Sequence, residues 1–287
     1  MLNPAAINDI LPKIIAETSY FLGKYNKMED IVNLQDTWGQ EGNTFTFPKI
    51  GGASASDVEE LAIGTDITSD YVVSIEGIPA TITHENVMRV FIPKMTVMSK
   101  KSIIQIVSRI LAMGELKKLE SDVVDLFSTF DTELGTETGA LTEKIILDGQ
   151  INVDDDMEVG RMVILSPYQY WDKTNGIASF TTQGNLDSGY IGEEIKKTGF
   201  IASAYGFDFI ISKQIPKVEY DTDSNLYSYT GAIMSRSAIG VHTKKLADIQ
   251  IGSLVSQRGI EIVCTGRWKE AIIEQTEGAL LISKGIA

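Results

Sequence analysis

Two histidines, His84 and His242, and one cysteine, Cys264, are the only nitrogen or sulfur side chains suited to a transition metal in this 287-residue chain, methionines aside. They are scattered, so a His/Cys zinc site cannot be assembled from them. Acidic clusters come closer to a motif. Asp154, Asp156 and Glu158 have the spacing that opens a calcium loop, but the sixth position is Val159 where glycine is required. The twelfth is Leu165 where a bidentate glutamate is required. Asp221, Asp223 and Asn225 repeat the spacing and fail likewise, at Leu226 and Ala232. The adjacent pairs Glu59-Glu60 and Glu193-Glu194 point apart in regular structure. No strand-turn nucleophile elbow, phosphate loop or dinucleotide fingerprint is present. The expectation is no catalytic residue, no metal and no cofactor, with His84 and His242 structural or solvated. A hydrolase or sugar-active enzyme using carboxylates outside any motif is the alternative.

The elements that would position such groups are unusual. From Gly42 to Lys94 the chain reads as a long strand-rich hairpin. Phe45 and Phe47 alternate to one side, Pro48 suits an edge, and 71–75 and 79–83 are strand-like. The segment 51–56 is small and flexible in type, and 57–61 is short and acidic. A ribbon of this composition is marginal alone and needs something to lie on. Phe45, Phe47, Pro48, Ile50, Leu61, Val72 and Ile75 are therefore the expected intersubunit contacts. Trp38 is a further anchor candidate, whereas Trp171 and Trp268 are expected in the core.

Around the ribbon the periodicity changes. Residues 5–33 read as two short helices, and 99–130 as one long amphipathic helix with Ile103, Val107, Ile110, Leu116, Leu119 and Val123 on one stripe. Gly114 offers a bend in its middle. Arg161–Leu165 reads as a buried strand running through Pro167 into a short helix; 200–204 and 207–211 are strands. Residues 229–247 look helical, and 260–264, 270–275 and 279–283 form a closing meander with Cys264 buried. The fold class is α+β, without βαβ regularity.

Composition excludes several classes. Hydrophobic content of 43% and charged content of 22% are those of a globular protein. No apolar run approaches the ~20 residues that span a bilayer, and no secretory signal is evident at the N-terminus. The net charge of −14 lies wholly in residues 1–160, which hold 26 acidic and 12 basic residues against 13 and 13 beyond. With no basic stripe, grip on a nucleic-acid backbone is not expected.

The layout resembles that of the major capsid proteins of tailed bacteriophages, whose coat fold is shared with encapsulins. GNTFTFPKI through RVFIPK resembles the extended loop that overlies an adjacent subunit, and 99–130 the spine helix. RMVILSPYQYW and YGFDFIISKQIP resemble successive segments of the axial domain, and EIVCTGRWKEAIIEQTEGALLI the returning C-terminal strands. The resemblance implies an N-terminal arm (1–41), an extended loop (42–95), a peripheral domain with the spine helix (96–134), an axial domain (135–250) and peripheral C-terminal strands (251–287). It further implies pentamers and hexamers of this chain tiling an icosahedral shell, the virion capsid. Double-stranded DNA is enclosed without specific binding, and no membrane is involved. Assembly would take place in the host bacterial cytoplasm. A portal is expected, decoration proteins occur in such shells, and because the chain starts directly at the arm a separate scaffolding protein is expected too. Some such coats crosslink through a lysine–asparagine isopeptide bond. No such pair is identifiable here, Lys49 and Lys94 included, and no crosslink is expected. An encapsulin-type cargo compartment is the second structural reading.

Overall fold

The computed structural model describes residues 4–50, 75–93, 103–153, 160–171, 200–204, 206–221, 226–254 and 259–286. Within them the chain opens with helix α1 (Pro4–Tyr25) and the single turn α2 (Met28–Ile31), then strand β1 (Asn33–Asp36). A ribbon follows, β2 (Thr44–Ile50) and β3 (Ile75–Thr81), and then β4 (Asn86–Pro93). Helix α3 (Ile103–Asp125) runs into a 3-10 turn at Leu126–Thr129. Next come β5 (Glu133–Gly135), α4 (Glu143–Asn152), β6 (Arg161–Leu165) and α5 (Pro167–Trp171). Strands β7 (Phe200–Ala204), β8 (Phe207–Ile211), β9 (Lys217–Asp221), β10 (Leu226–Ser235), β11 (Ile239–Leu254), β12 (Gly259–Ile272) and β13 (Gly278–Ile286) complete it.

Two larger sheets carry the fold. One has the order β1-β11-β12-β4; the other runs β5-β13-β10-β6-β8-β7, with β9 pairing on β10. In the second sheet the central strands are buried on both faces. Met162, Ile164, Ile210, Ala232, Met234 and Leu280 share a core with α3 and with Ile239, Val241 and Trp268 of the first sheet. Val163, Phe207, Phe209, Ile233 and Leu281 face the opposite core, under Ile146 of α4 and Tyr170 of α5. Strands wet on neither face lose the polar-apolar alternation that marks a one-sided strand. Residues 229–247, expected to be helical, are instead the end of β10, a turn at 236–238 and the start of β11; the alternation is hidden because buried residues run unbroken from Gly231 to Ser235 in β10. In β11 the register slips around Thr243–Asp248, which scrambles the period again.

The other element expectations fare better. The long helix is present, 23 residues or about 35 Å in length. The first helical segment is one helix of 22 residues, with Pro12 inside it at the cost of one backbone hydrogen bond. The expected meander resolves into two long strands, β12 and β13. Trp268 is buried and its indole N–H donates to Asp122 Oδ2 at 2.9 Å. Trp171 is not core: 58% of it is exposed. The inward side of α5 is taken by Tyr170 and by Gln169, which accepts the Ser166 N–H and donates to the Tyr229 carbonyl and the Ser283 hydroxyl. The Asp154–Glu158 cluster lies outside the described residues, as do Asp223 and Asn225.

One carboxyl breaks the apolar stripe of α3. Glu115 is 3% exposed, lies against β12 beside Gly266, and accepts from the Cys264 thiol. Burial lifts its pKa from 4.5 to about 7, against the lowering effect of the thiol. Burial and the Glu115 carboxylate push the Cys264 thiol up to about 12. The folded subunit thus holds a proton that the unfolded chain releases. The Glu115 contribution to unfolding free energy is complete below pH 4.5 and is lost as pH rises toward about 7, a fall on the order of 3 kcal/mol. Glu115→Gln is expected to flatten this slope, read by denaturant unfolding at a series of pH values.

Candidate assembly interface

The ribbon is built from complementary alternation. Register pairs Thr44 with Thr81, Phe45 with Ala80, Phe47 with Ile78, Lys49 with Glu76 and Ile50 with Ile75. Because side chains alternate across a strand, Phe45, Phe47, Lys49, Glu76, Ile78 and Ala80 share one face. Thr44, Thr46, Pro48, Ile75, Gly77, Pro79 and Thr81 share the other.

The first face lies on the subunit's own body. Phe47 is fully buried and packs with Ala80 and Ile273; Phe45, Ile78 and Ala271 flank them. Room for the Phe47 ring comes from Gly240 of β11, where a β-carbon would stand 2.7 Å from the ring and 2.9 Å from Ile273. Phe45 meets Phe47 edge-on at 4.9 Å and lies over the His242 ring at 5.7 Å. Further along, Lys49 Nζ pairs with Glu274 at 2.9 Å. The inner face therefore tracks β11 backwards, from His242 past Gly240 to the β12 exit. Backbone bonds close the ends: Ile82 N–H donates to the Asn43 carbonyl (2.8 Å), and Thr37 N–H to the Thr243 carbonyl (2.9 Å).

This corrects the expectation for Phe47 as an intersubunit contact. A side chain with no exposed surface in one subunit has nothing left to offer a second. Phe45, half-buried against His242 and Phe47, is likewise committed mainly to its own chain. The ribbon is too thin to shelter its phenylalanines itself, but its own β11–β12 surface shelters them. The second face has no such cover. Pro48 is exposed, as are Pro79 and Ile75, the last at 67%. Ile50 is the register partner of Ile75. Leu61 and Val72 lie outside the described residues.

Beyond the ribbon, the sheet face opposite α3 is open at its β4 side. Val87 and Phe91 are exposed there, with Arg89 paired to Glu261 and Arg267 paired to Glu85. On α3 itself Ile106 and Ile110 are exposed, one turn apart. Trp38, 64% exposed, sits under the Lys245 ammonium at 4.5 Å. His84 is exposed and hydrogen-bonds Thr83, whereas His242 is buried, on a strand and not on the helix expected for it. Among the described residues no group of three or more His, Cys, Asp or Glu is placed to hold a metal ion. No described helix is long and apolar enough to cross a membrane.

The two phenylalanines and their common face are legible in the sequence, but not their partners Gly240, Ile273 and His242, which lie at 240, 273 and 242 against 45 and 47.

Neither a family model nor a curated protein matches the sequence. Solved structures do match over nearly the whole chain. The capsid of Ralstonia phage GP4 superposes with a TM-score of 0.64 at 7% identity, covering 92% of this chain and 92% of that one. The capsid of cyanophage P-SCSP1u gives 0.58 at 15% identity, over 92% and 89%. A virus-like particle from Pyrococcus furiosus gives 0.52 at 11%, over 94% and 98%. At such identities the shared property is the fold: this is the tailed-phage coat fold, mixed helix and sheet as expected.

The two faces of the ribbon are expected to respond differently to truncation. Phe47→Ala removes a buried ring and should lower the unfolding free energy of the subunit by about 3 kcal/mol. Pro48→Ala, on the exposed face, should change it by less than about 0.5 kcal/mol. Denaturant titration of the unassembled subunit checks both.

Proposed function

We propose that this chain is a structural shell protein, a major capsid protein whose copies associate as pentamers and hexamers into a closed icosahedral container for phage double-stranded DNA. The observation that carries this reading is the superposition on phage capsids over about nine-tenths of both chains. The ribbon supports it independently. Its root is fixed to one subunit while its outer face, with Pro48, Pro79 and Ile75, is uncovered. Contacts of this kind suit a neighbouring copy, so part of the stability belongs to the assembly. The acidic excess of the first half suits a wall that does not hold DNA by charge. A portal and a separate scaffolding protein belong to the same proposal, as do assembly in a bacterial cytoplasm and a final place in the virion.

A cargo compartment of the encapsulin type is the second reading. It is favoured by the match to the Pyrococcus furiosus virus-like particle, which covers 98% of that chain.

Electron microscopy of the expressed protein is the test. Shells, or rings of five and six copies, are the expected result. A monodisperse monomer or dimer at every concentration and ionic strength tried, with or without the co-expressed neighbouring genes, would overturn it. Deleting 51–74 with a short glycine linker should abolish particles while leaving the subunit's thermal transition within a few degrees of the parent.

A further inference from the structure

His242 is where three parts of the chain meet. It is 1% exposed, in β11, with β1 beside it in register through Gln35 and the ribbon root above it. Its Nδ1 lies 3.0 Å from the Ala80 carbonyl of β3, and its Nε2 lies 2.7 Å from the Thr37 hydroxyl just after β1. Phe45 of β2 covers the ring. A carbonyl has no proton to give, so Nδ1 carries the hydrogen. Nε2 is then bare and accepts from Thr37. The neutral ring, in that one tautomer, satisfies both partners.

A second proton spoils this arrangement. Nε2–H would face the hydroxyl proton of Thr37, which must turn toward its other acceptor, the Thr243 carbonyl at 3.4 Å. The new cation would also be sealed from water. The charged groups around it do not rescue it. On β1, Asp36 is the favourable neighbour, but it already accepts the Trp38 N–H at 2.9 Å. On β11, Lys244 opposes, with its ammonium held by the Gln40 carbonyl. On β12, opposite His242, Lys269 is paired to Glu270. On the ribbon, Lys49 is paired with Glu274 and stands opposite Glu76; just after β3, His84 and Glu85 line a cleft with Lys244 and Arg267, where Glu85 is paired to Arg267. Among the described residues no carboxylate is hydrogen-bonded to the ring, and Phe45 lies over it.

We propose that His242 is a proton-operated latch on the ribbon root: one proton taken up at Nε2 favours a form in which β2–β3 and β1 part from β11 while both cores stay folded. The sign follows from burial, which, ahead of the Ala80 bond and the Lys244 and Asp36 charges, lowers the histidine pKa below its ordinary 6.5 in the closed form. The contribution of the latch is complete above pH 6.5 and is lost as pH falls through the lowered pKa. This is opposite in direction to Glu115, which acts between α3 and β12 and not at the ribbon. The latch works within one subunit, whether or not copies assemble. In a shell it would free the arm for a different neighbour contact at mildly acid pH.

Amide hydrogen exchange of the full chain between pH 8 and 5, corrected for the intrinsic pH dependence, tests it. The opening constant of 33–49 and 75–82 is expected to rise by up to about tenfold per pH unit below pH 6.5, with no matching rise in 161–165 or 229–235. His242→Asn, which keeps a side-chain amide but cannot titrate, is expected to remove the rise; His84→Asn is expected to keep it. A flat ribbon profile in the parent, or an undiminished slope in His242→Asn, overturns the latch. Should His242→Asn fail to fold, NMR titration of the parent decides. Coincidence of His242 ring protonation with loss of ribbon protection supports the latch, and protonation without that loss contradicts it.

Discussion

The Phe47 ring seated on Gly240 is the contact on which the rest of the arm depends. Only a residue without a side chain leaves the ring room there, since a β-carbon would stand 2.7 Å from it. With Phe47 fixed, strand alternation assigns every neighbour: Phe45 to His242, Lys49 to Glu274, and Pro48 and Ile75 to the outside. The ribbon thus has a root fixed on its own subunit and a far face left uncovered, the combination that the proposed shell role calls for. A shell subunit needs this combination. A root free to swing would lose the entropy of ordering at every contact, whereas a prepositioned arm loses little.

The body behind the root is stiff for a related reason. The core shared by α3, β6, β10 and β11 lies between the two sheets, so Leu119, Val123, Met162, Met234 and Val241 tie them through one packed layer. The turn from β10 to β11 is itself held down: Arg236 donates to the Glu29 carbonyl at 2.6 Å, at the α2 turn. Exposed apolar groups, such as Ile106, Ile110 and Phe91, lie on the surfaces this framework presents outward.

What was legible in the sequence follows from which residues do one job at a time. Helix α3 is legible from Val107, Leu116, Leu119 and Val123 on its dry face, although Ile106 and Ile110 face out and Ser108 and Glu115 face in; the alternation of Phe45 and Phe47 is legible too. Strand β10 is dry on both faces and β11 slips register near Lys244 and Lys245, so neither keeps a period, and their mixture of Gly, Ala, Ser and Ile passes for a helix. Partners were not legible at all. That Phe47 rests on Gly240 and Ile273 of its own chain, and not on a neighbour, is a fact of tertiary closure over long sequence separation. The same holds for His242, whose donor is the Thr37 hydroxyl and whose acceptor is the Ala80 carbonyl.

The central claim is that an arm rooted in its own subunit joins copies of this chain into a shell. A particle reconstruction at side-chain resolution tests it most directly. The account predicts Phe47 buried on Gly240 of the same subunit, with Pro48 and Ile75 covered by an adjacent copy. A particle in which that outer face stays bare, or in which Phe47 sits in a different subunit, would contradict it.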